Sequence, residues 1–251
     1  MPADDGSLLR AELGIPGVHA VTTLRGPAGV SSAPFDRFNL GLRCGDQPEA
    51  VLANRDALID LARLPGAPHW LRQVHGTRVW QAEAASDEGD EPEADAAVTF
   101  TPGTVLTVLT ADCLPVVFAA DDGSEVALAH AGWRGLAGGV LEATVAAMRT
   151  PPSRLVAWLG PAAGPGSYEV GDEVCAAFVE QASVDTTAFF ATRPGHWLCD
   201  LYALASRRLH EAGVGGIKGG GRCTISESAH FFSHRRDGGG SGRMATLVWM
   251  H

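Results

Sequence analysis

Residues 104–135 read TVLTVLTADCLPVVFAADDGSEVALAHAGWRG, and they decide the fold. Thr104 to Thr110, Leu114 to Ala119 and Glu125 to Ala131 are three apolar runs, each short enough to be a strand. Asp122-Gly123 lies between the last two, and Asp-Gly favours the positive φ angles of a tight hairpin turn. A hairpin about that turn makes the numbers of facing residues sum to about 245. Cys113 and His130 fall within one or two positions of facing each other. Side-chain roots at such positions lie roughly 5–8 Å apart. A thiolate and an imidazole held there can share one ion or one proton.

The flanks extend this frame. Pro115 interrupts regular pairing beside Cys113. Gly132 and Gly135 permit a sharp turn from the His130 strand into a helix from Leu136 to Arg149. Upstream, His69 to Val74 and Thr77 to Gln81 are expected as two arms of a hairpin around His75-Gly76. Downstream, Arg154 to Leu159 and Ala245 to Trp249 complete the strands. Asp46-Gln47-Pro48-Glu49 has the spacing of a capping box and opens a helix to about Leu64. On that helix Asn54 and Arg55 share the arc of Val51, Leu58 and Ala62, so they need partners, such as a neighbouring loop. Asp200 starts another helix, with Leu201, Leu204, Ala205 and Leu209 on one face and Gly213 as its stop. Hairpins interspersed with helices predict an α/β fold with mixed sheets, not a doubly wound parallel one. Ala84 to Ala94 reads as an exposed acidic loop and Gly160 to Gly166 as a Pro/Gly loop. Neither is long enough for a linker, so residues 1–251 are expected to form a single domain.

Composition narrows the function classes. Of 251 residues 45% are hydrophobic and 19% charged, which is enough apolar content for a globular core. A formal net charge of −10 argues against nucleic acid and against anionic membranes as partners. There is no apolar run of membrane-spanning length, and Met1 to Gly6 is acidic without a signal core. Cys44, Cys113, Cys175, Cys199 and Cys223 are isolated, with no C-x-x-C pair. This points to a reducing, cytoplasmic setting and not to a disulfide scaffold.

Taken singly, Cys113 and His130 each read as ordinary core residues; together they suggest a site. His75, beside a glycine at a turn, is the third candidate, although spacing alone does not bring it to the other two. His–Cys–His suits a catalytic zinc, because three ligands leave a fourth position for water or substrate. His230 and His234 precede an arginine pair and read as loop residues. The C-terminal loop sets Arg236 and Arg243 beside glycines, a composition able to bind an anion but lacking P-loop spacing.

Gln73-Val74-His75-Gly76, Ala111-Asp112-Cys113-Leu114-Pro115, His130-Ala131-Gly132-Trp133-Arg134-Gly135, Gly160-Pro161 and Phe232-Ser233-His234-Arg235-Arg236-Asp237 with Gly242-Arg243 resemble the laccase-domain family, also called YfiH-like or polyphenol-oxidase-like. The resemblance runs from about Thr22 to Trp249. It implies two packed mixed β-sheets flanked by helices, and zinc on His75, Cys113 and His130. It also implies phosphorolysis of adenosine, guanosine, inosine or methylthioadenosine, and deamination of adenosine, with a purine nucleoside and phosphate as partners. Arg25, Asn39, Arg236 and Arg243 become the candidate substrate contacts. Near Arg25 the chain departs from the family pattern: Arg25-Gly26-Pro27-Ala28-Gly29-Val30-Ser31 carries one extra residue and a proline. The expected assembly is a monomer or small homo-oligomer.

Two other functions fit parts of the same residues. One is a metal-free cysteine hydrolase acting on an amide, for instance in peptidoglycan-precursor editing, with Cys113 as nucleophile and His130 or His75 as base. The other is a copper-dependent phenol oxidase. Spacing supplies no blue-copper ligand set for it.

Overall fold

The computed structural model describes residues 6–83 and 91–251. Two mixed sheets pack face to face between helices. The five-stranded sheet runs β1 (Leu8–Arg10), β2 (Val18–Thr23), β14 (Met244–Met250), β6 (Val105–Thr110), β3 (Pro68–His69). The six-stranded sheet runs β13 (Gly216–Gly219), β9 (Leu155–Leu159), β7 (Leu114–Ala120), β8 (Val126–Ala131), β5 (Ala96–Thr99), β4 (Val79–Gln81). Their inner strands pair antiparallel, and the edge strands β3, β13 and β4 pair parallel. A third, antiparallel sheet joins β10 (Glu169–Gly171), β12 (His196–Cys199) and β11 (Phe189–Arg193). It adds to the two sheets expected; its strands are short and β11 is mostly exposed, so they lack a buried apolar signature.

The hairpin is as expected. Leu114 faces Ala131 and Pro115 faces His130, so facing numbers sum to 245. Every residue of β7 and β8 is buried. Val116, Phe118, Ala127 and Ala129 pack outward against α3 (Val140–Ala147) and α5 (Leu201–Glu211). Val117, Ala119, Val126 and Leu128 pack inward on Leu106, Val108 and Val248 of the other sheet. Burial on both faces explains a continuous apolar run in place of alternation. Each buried Val, Leu or Phe among them contributes about 1.5–3 kcal/mol, and each alanine less.

Three local expectations are corrected. First, Pro68–His69 and Val79–Gln81 do not pair: β3 joins β6 and β4 joins β5, so the chain crosses between sheets near His75. The backbone N–H groups of Val74, His75 and Gly76 all donate to the Asp95 carboxylate, which replaces a hairpin ladder. Second, the helix α1 (Pro48–Ala62) forms without a capping box; Gln47 is its N-cap. The Asp46 carboxylate instead accepts from Ser31 Oγ at 2.6 Å and Asn39 Nδ2 at 2.9 Å. Third, the helix expected from Leu136 to Arg149 is two: α2 (Trp133–Gly138) and α3, broken at Gly139 with φ 94°. That left-handed angle suits glycine and ends α2.

Asp200 caps α5 by accepting from the Ala203 N–H at 2.9 Å. Buried Asn54 ties α1 to a loop, as expected: it accepts from Val30 N–H and donates to Ser31 Oγ and the Asn39 carbonyl. Residues 84–90 of the expected acidic loop lie outside the described residues. Glu91 and Glu93, at its end, are ion-paired to Arg43 and Arg72. The five cysteines are unpaired. No helix among the described residues is long and apolar enough to cross a membrane.

Candidate metal centre

Two connections between the large sheets and the end of β8 meet at one place. The chain leaves β6 at Thr110 and enters β7 at Leu114, and Cys113 stands on that crossing. Asp112, the residue before it, is buried with φ 91°. Its carboxylate accepts from Thr224 Oγ1 and from the Arg235 N–H, each at 2.6 Å, and its carbonyl accepts from Ala163 N–H. These bonds hold a left-handed conformation that a non-glycine residue rarely adopts. The acidic neighbour of the cysteine is therefore a brace for its turn.

His75 rides on the other crossing, with φ 61°. Gln73 anchors that segment, exchanging two hydrogen bonds with the backbone of Leu109 at 2.8 and 2.9 Å. His130, in β8, is buried, and its Nδ1 lies 2.8 Å from Asp95 Oδ1. A carboxylate accepts, so Nδ1 carries the proton and Nε2 is left as the donor atom for a metal. Asp95 thus fixes two candidate ligands at once: the ring of His130 and the backbone of His75.

The ligand atoms of His75, Cys113 and His130 all lie within 4.8 Å of one another. His75 Nε2 is 3.9 Å from Cys113 Sγ, and the two imidazole rings meet edge to face at 4.8 Å. Gly132 closes the third side. A Cβ there would stand 3.0 Å from Cys113 Sγ and 3.0 Å from His75 Cδ2, so only glycine leaves the ligands room to converge. A soft thiolate with two imidazoles fits zinc or copper, and three ligands leave a coordination position open.

Electrostatics favours a thiolate–imidazolium pair in the metal-free site, and a metal binding there would displace the His130 Nε2 proton. Burial pushes the Cys113 thiol up, but the neighbouring His130 and His75 outweigh it and bring the thiol down to about 6. Burial depresses His130, yet the Cys113 thiolate and Asp95 raise it to about 9. Cys113 is therefore a thiolate at neutral pH, ready to ligate or to attack.

The three residues lie in a cleft of about 460 Å³, whose walls include Arg43, Arg55, Arg134, Arg243 and His234. Of the residues singled out in the sequence, the structure brings together His75, Cys113, His130 and Arg243. Arg55 and His234 stand on its wall as well, whereas Arg25, Asn39 and Arg236 do not line it. Arg25 lies apart, bonded to the Asp36 carbonyl and paired with its carboxylate, over the ring of Phe232. Asn39 is fully buried, accepting from the Gly41 and Arg243 N–H groups. Arg236 donates to the carbonyls of Thr224, Ile225 and Phe231 and pairs with Asp237, so its donors are spent on its own loop. Asp95 and Arg134 were not assigned roles from sequence. The signal for Asp95 is a carboxylate opening a fully buried strand.

Residues 18–251 match the family model described as multi-copper polyphenol oxidoreductase laccase. The purine nucleoside phosphorylase of Xylella fastidiosa (strain 9a5c) is 58% identical over 244 residues, spanning 94% of this chain and 93% of that protein. The purine nucleoside phosphorylase YfiH of Escherichia coli (strain K12) is 47% identical over 234 residues, spanning 93% and 94%. The crystal structure of Neisseria meningitidis protein NMB0706 superimposes with a TM-score of 0.92 at 46% identity, covering 97% of this chain and 99% of that one. Bacillus licheniformis YfiH superimposes with a TM-score of 0.90 at 29% identity, covering 98% and 97%. By motif, by the match over residues 18–251 and by fold, the chain belongs to the laccase-type multi-copper polyphenol oxidoreductase family, in its YfiH-like form.

Proposed function

We propose that this protein is a zinc-dependent purine nucleoside phosphorylase that also deaminates adenosine. The observation that carries the reading is the convergence of His75, Cys113 and His130 at an arginine-walled cleft, in a chain whose relatives bear the name purine nucleoside phosphorylase. His75, Cys113 and His130 would hold the zinc. Bound there, zinc supplies a Lewis acid able to polarise a substrate group or activate water toward a purine ring carbon. Asp95 keeps the His130 proton on Nδ1 and aims Nε2 into the site. Gly132 leaves room above the ligands, and the arginine walls favour an anionic co-substrate. The unpaired cysteines support a reducing, cytoplasmic setting.

Zinc is favoured over copper oxidase chemistry because, among the described residues, one cluster of three ligands forms, where a multi-copper enzyme uses several. The test is a nucleoside panel incubated with purified protein, with and without phosphate, and read by mass spectrometry. Phosphate-dependent release of free base with sugar phosphate, abolished together with bound zinc in Cys113→Ser, is the expected result. No base release from any purine nucleoside would sink the phosphorylase reading.

One further reading has its own observation. Cys113 as a thiolate, with His130 and Asp95 behind it, is also the order of a Cys–His–Asp nucleophilic site. Elemental analysis decides: about one zinc per chain is expected from three ligands with an open position. Metal-free protein that forms a covalent adduct at Cys113 with a substrate-like electrophile would favour the hydrolase.

A further inference from the structure

We propose that Arg134 and Arg243 form the phosphate clamp of this cleft, an inference that rests on the phosphorylase reading above. It follows from which guanidinium donors and charges are already committed. Arg43 and Arg55 both pair with Glu91, and Arg55 also lies 3.7 Å over the Trp70 ring with its Nε on the Leu40 carbonyl. Arg134 and Arg243 have no carboxylate within ion-pairing distance among the described residues. In a chain of formal net charge −10, two unanswered arginines on one cleft mark a local site for an anion.

The two arginines line the cleft from different elements of the fold. Arg134 follows Gly132 by two residues, at the start of α2, and Gly132 abuts Cys113 and His75. Its guanidinium makes no hydrogen bond among the described residues. Its guanidinium rests 4.3 Å over the Trp133 ring, which supports the plane without using an N–H. Arg243 precedes β14, whose Met244 faces Thr110 close to the Cys113 turn. Its stem packs on Gly41, where a Cβ would come within 2.7 Å of Arg243 Cγ. Its Nη1 donates to the Ser241 and Gly242 carbonyls at 2.6 and 3.0 Å. Carbonyls fix that guanidinium without neutralising it, and its Nε and Nη2 stay available. Planar, charged donors of this kind suit phosphate oxygens.

The chemistry then balances. A phosphate oxygen forms a bond to the anomeric carbon of the ribose as the carbon–nitrogen bond to the purine breaks. The bonding pair leaves on the purine nitrogen, and the proton carried by HPO₄²⁻ ends on the departing base. The products are a sugar 1-phosphate dianion and a neutral purine. The clamp places the nucleophile; it takes no proton.

The test is titration calorimetry with inorganic phosphate on zinc-loaded protein, beside steady-state KM values for phosphate and nucleoside. The variants are Arg134→Gln, Arg243→Gln and, as a charge control, Arg154→Gln at the β7–β8 turn, where Arg154 pairs with Asp121 and Asp122. Each cleft variant should raise the phosphate Kd and KM about tenfold or more, and leave the nucleoside KM within about twofold. Arg134→Lys should recover part of the loss and Arg154→Gln should resemble wild type. Unchanged phosphate binding in both cleft variants, or an equal loss in Arg154→Gln, overturns the clamp. Wild type that binds no phosphate overturns it as well. If wild type binds phosphate and loses it in the cleft variants, but cleaves no nucleoside, the clamp stands and the phosphorylase reading falls.

Discussion

Replacing Asp95 by asparagine keeps the shape of the side chain and removes its charge. In the native protein the carboxylate is fully buried and accepts four hydrogen bonds: from the N–H groups of Val74 at 3.1 Å, His75 at 2.9 Å and Gly76 at 2.7 Å, and from His130 Nδ1 at 2.8 Å. A carboxylate offers about four lone-pair sites; an amide offers one accepting oxygen, and its NH₂ confronts donors. At least two buried donors therefore lose their partner in Asp95→Asn. Each stranded donor costs about 1–3 kcal/mol, so the variant should lose about 2–6 kcal/mol of stability. The His130 ring is also released and the His75 backbone loosened, so zinc affinity should fall about 10–100-fold. Urea unfolding of the metal-free proteins reads the first quantity. Competition with a chromogenic chelator at fixed pH reads the second. Stability within about 0.5 kcal/mol of wild type together with unchanged zinc affinity would refute the assignment of Asp95 as the shared anchor.

His130→Ala should cost more zinc affinity than His75→Ala, because His130 is buried and braced by Asp95 while the His75 ring is exposed; chelator competition showing tighter zinc in His130→Ala would reverse that order. Gly132→Ala should weaken zinc binding by about 1–3 kcal/mol without unfolding the protein, since the new methyl presses on Cys113 and His75; a variant with native affinity would show that the ligands have slack. At Glu227, burial pushes the carboxyl up, but Arg222 and the Cys223 N–H outweigh it and hold it below the ordinary range. A depressed folded pKa gives stability that is present above the unfolded value of about 4.3 and lost as pH falls through the folded one. The stability difference between wild type and Glu227→Gln, at most about 1 kcal/mol for so exposed a pair, should be full at pH 7 and fade in acid; a constant difference would refute it.

The β7–β8 hairpin was legible because its register is local: a short connection between consecutive strands fixes which residues face each other. The placing of His130 near Cys113 followed from that register. His75 was not placed by spacing, because its approach depends on a crossing between sheets held by Asp95, a residue twenty positions away. The capping box failed for a related reason. Asp46 had a better use for its carboxylate in Ser31 and Asn39, partners that sequence distance hides. The arginines show the limit most plainly. Glycines beside Arg236 suggested an anion site, yet the carbonyls of Thr224, Ile225 and Phe231 consume its donors. Composition gives the number of donors and only the fold tells which are free.

Strand β14 lies between β2 and β6, and the hydroxyls of Thr22 and Thr246, 224 residues apart, meet across it at 2.8 Å. During synthesis the partners on either side of this strand emerge long before it does. Until then β2 and β6 present unpaired edges and an uncovered apolar face, the state most prone to wrong association. The β7–β8 hairpin, with Cys113 and His130 at its open end, needs nothing from the C-terminal strand to set its register. A nascent chain can therefore present part of a metal site before it has an enclosed cleft. Arg243 and β14 arrive together, so the wall of the cleft and the centre of the five-stranded sheet are completed in one event.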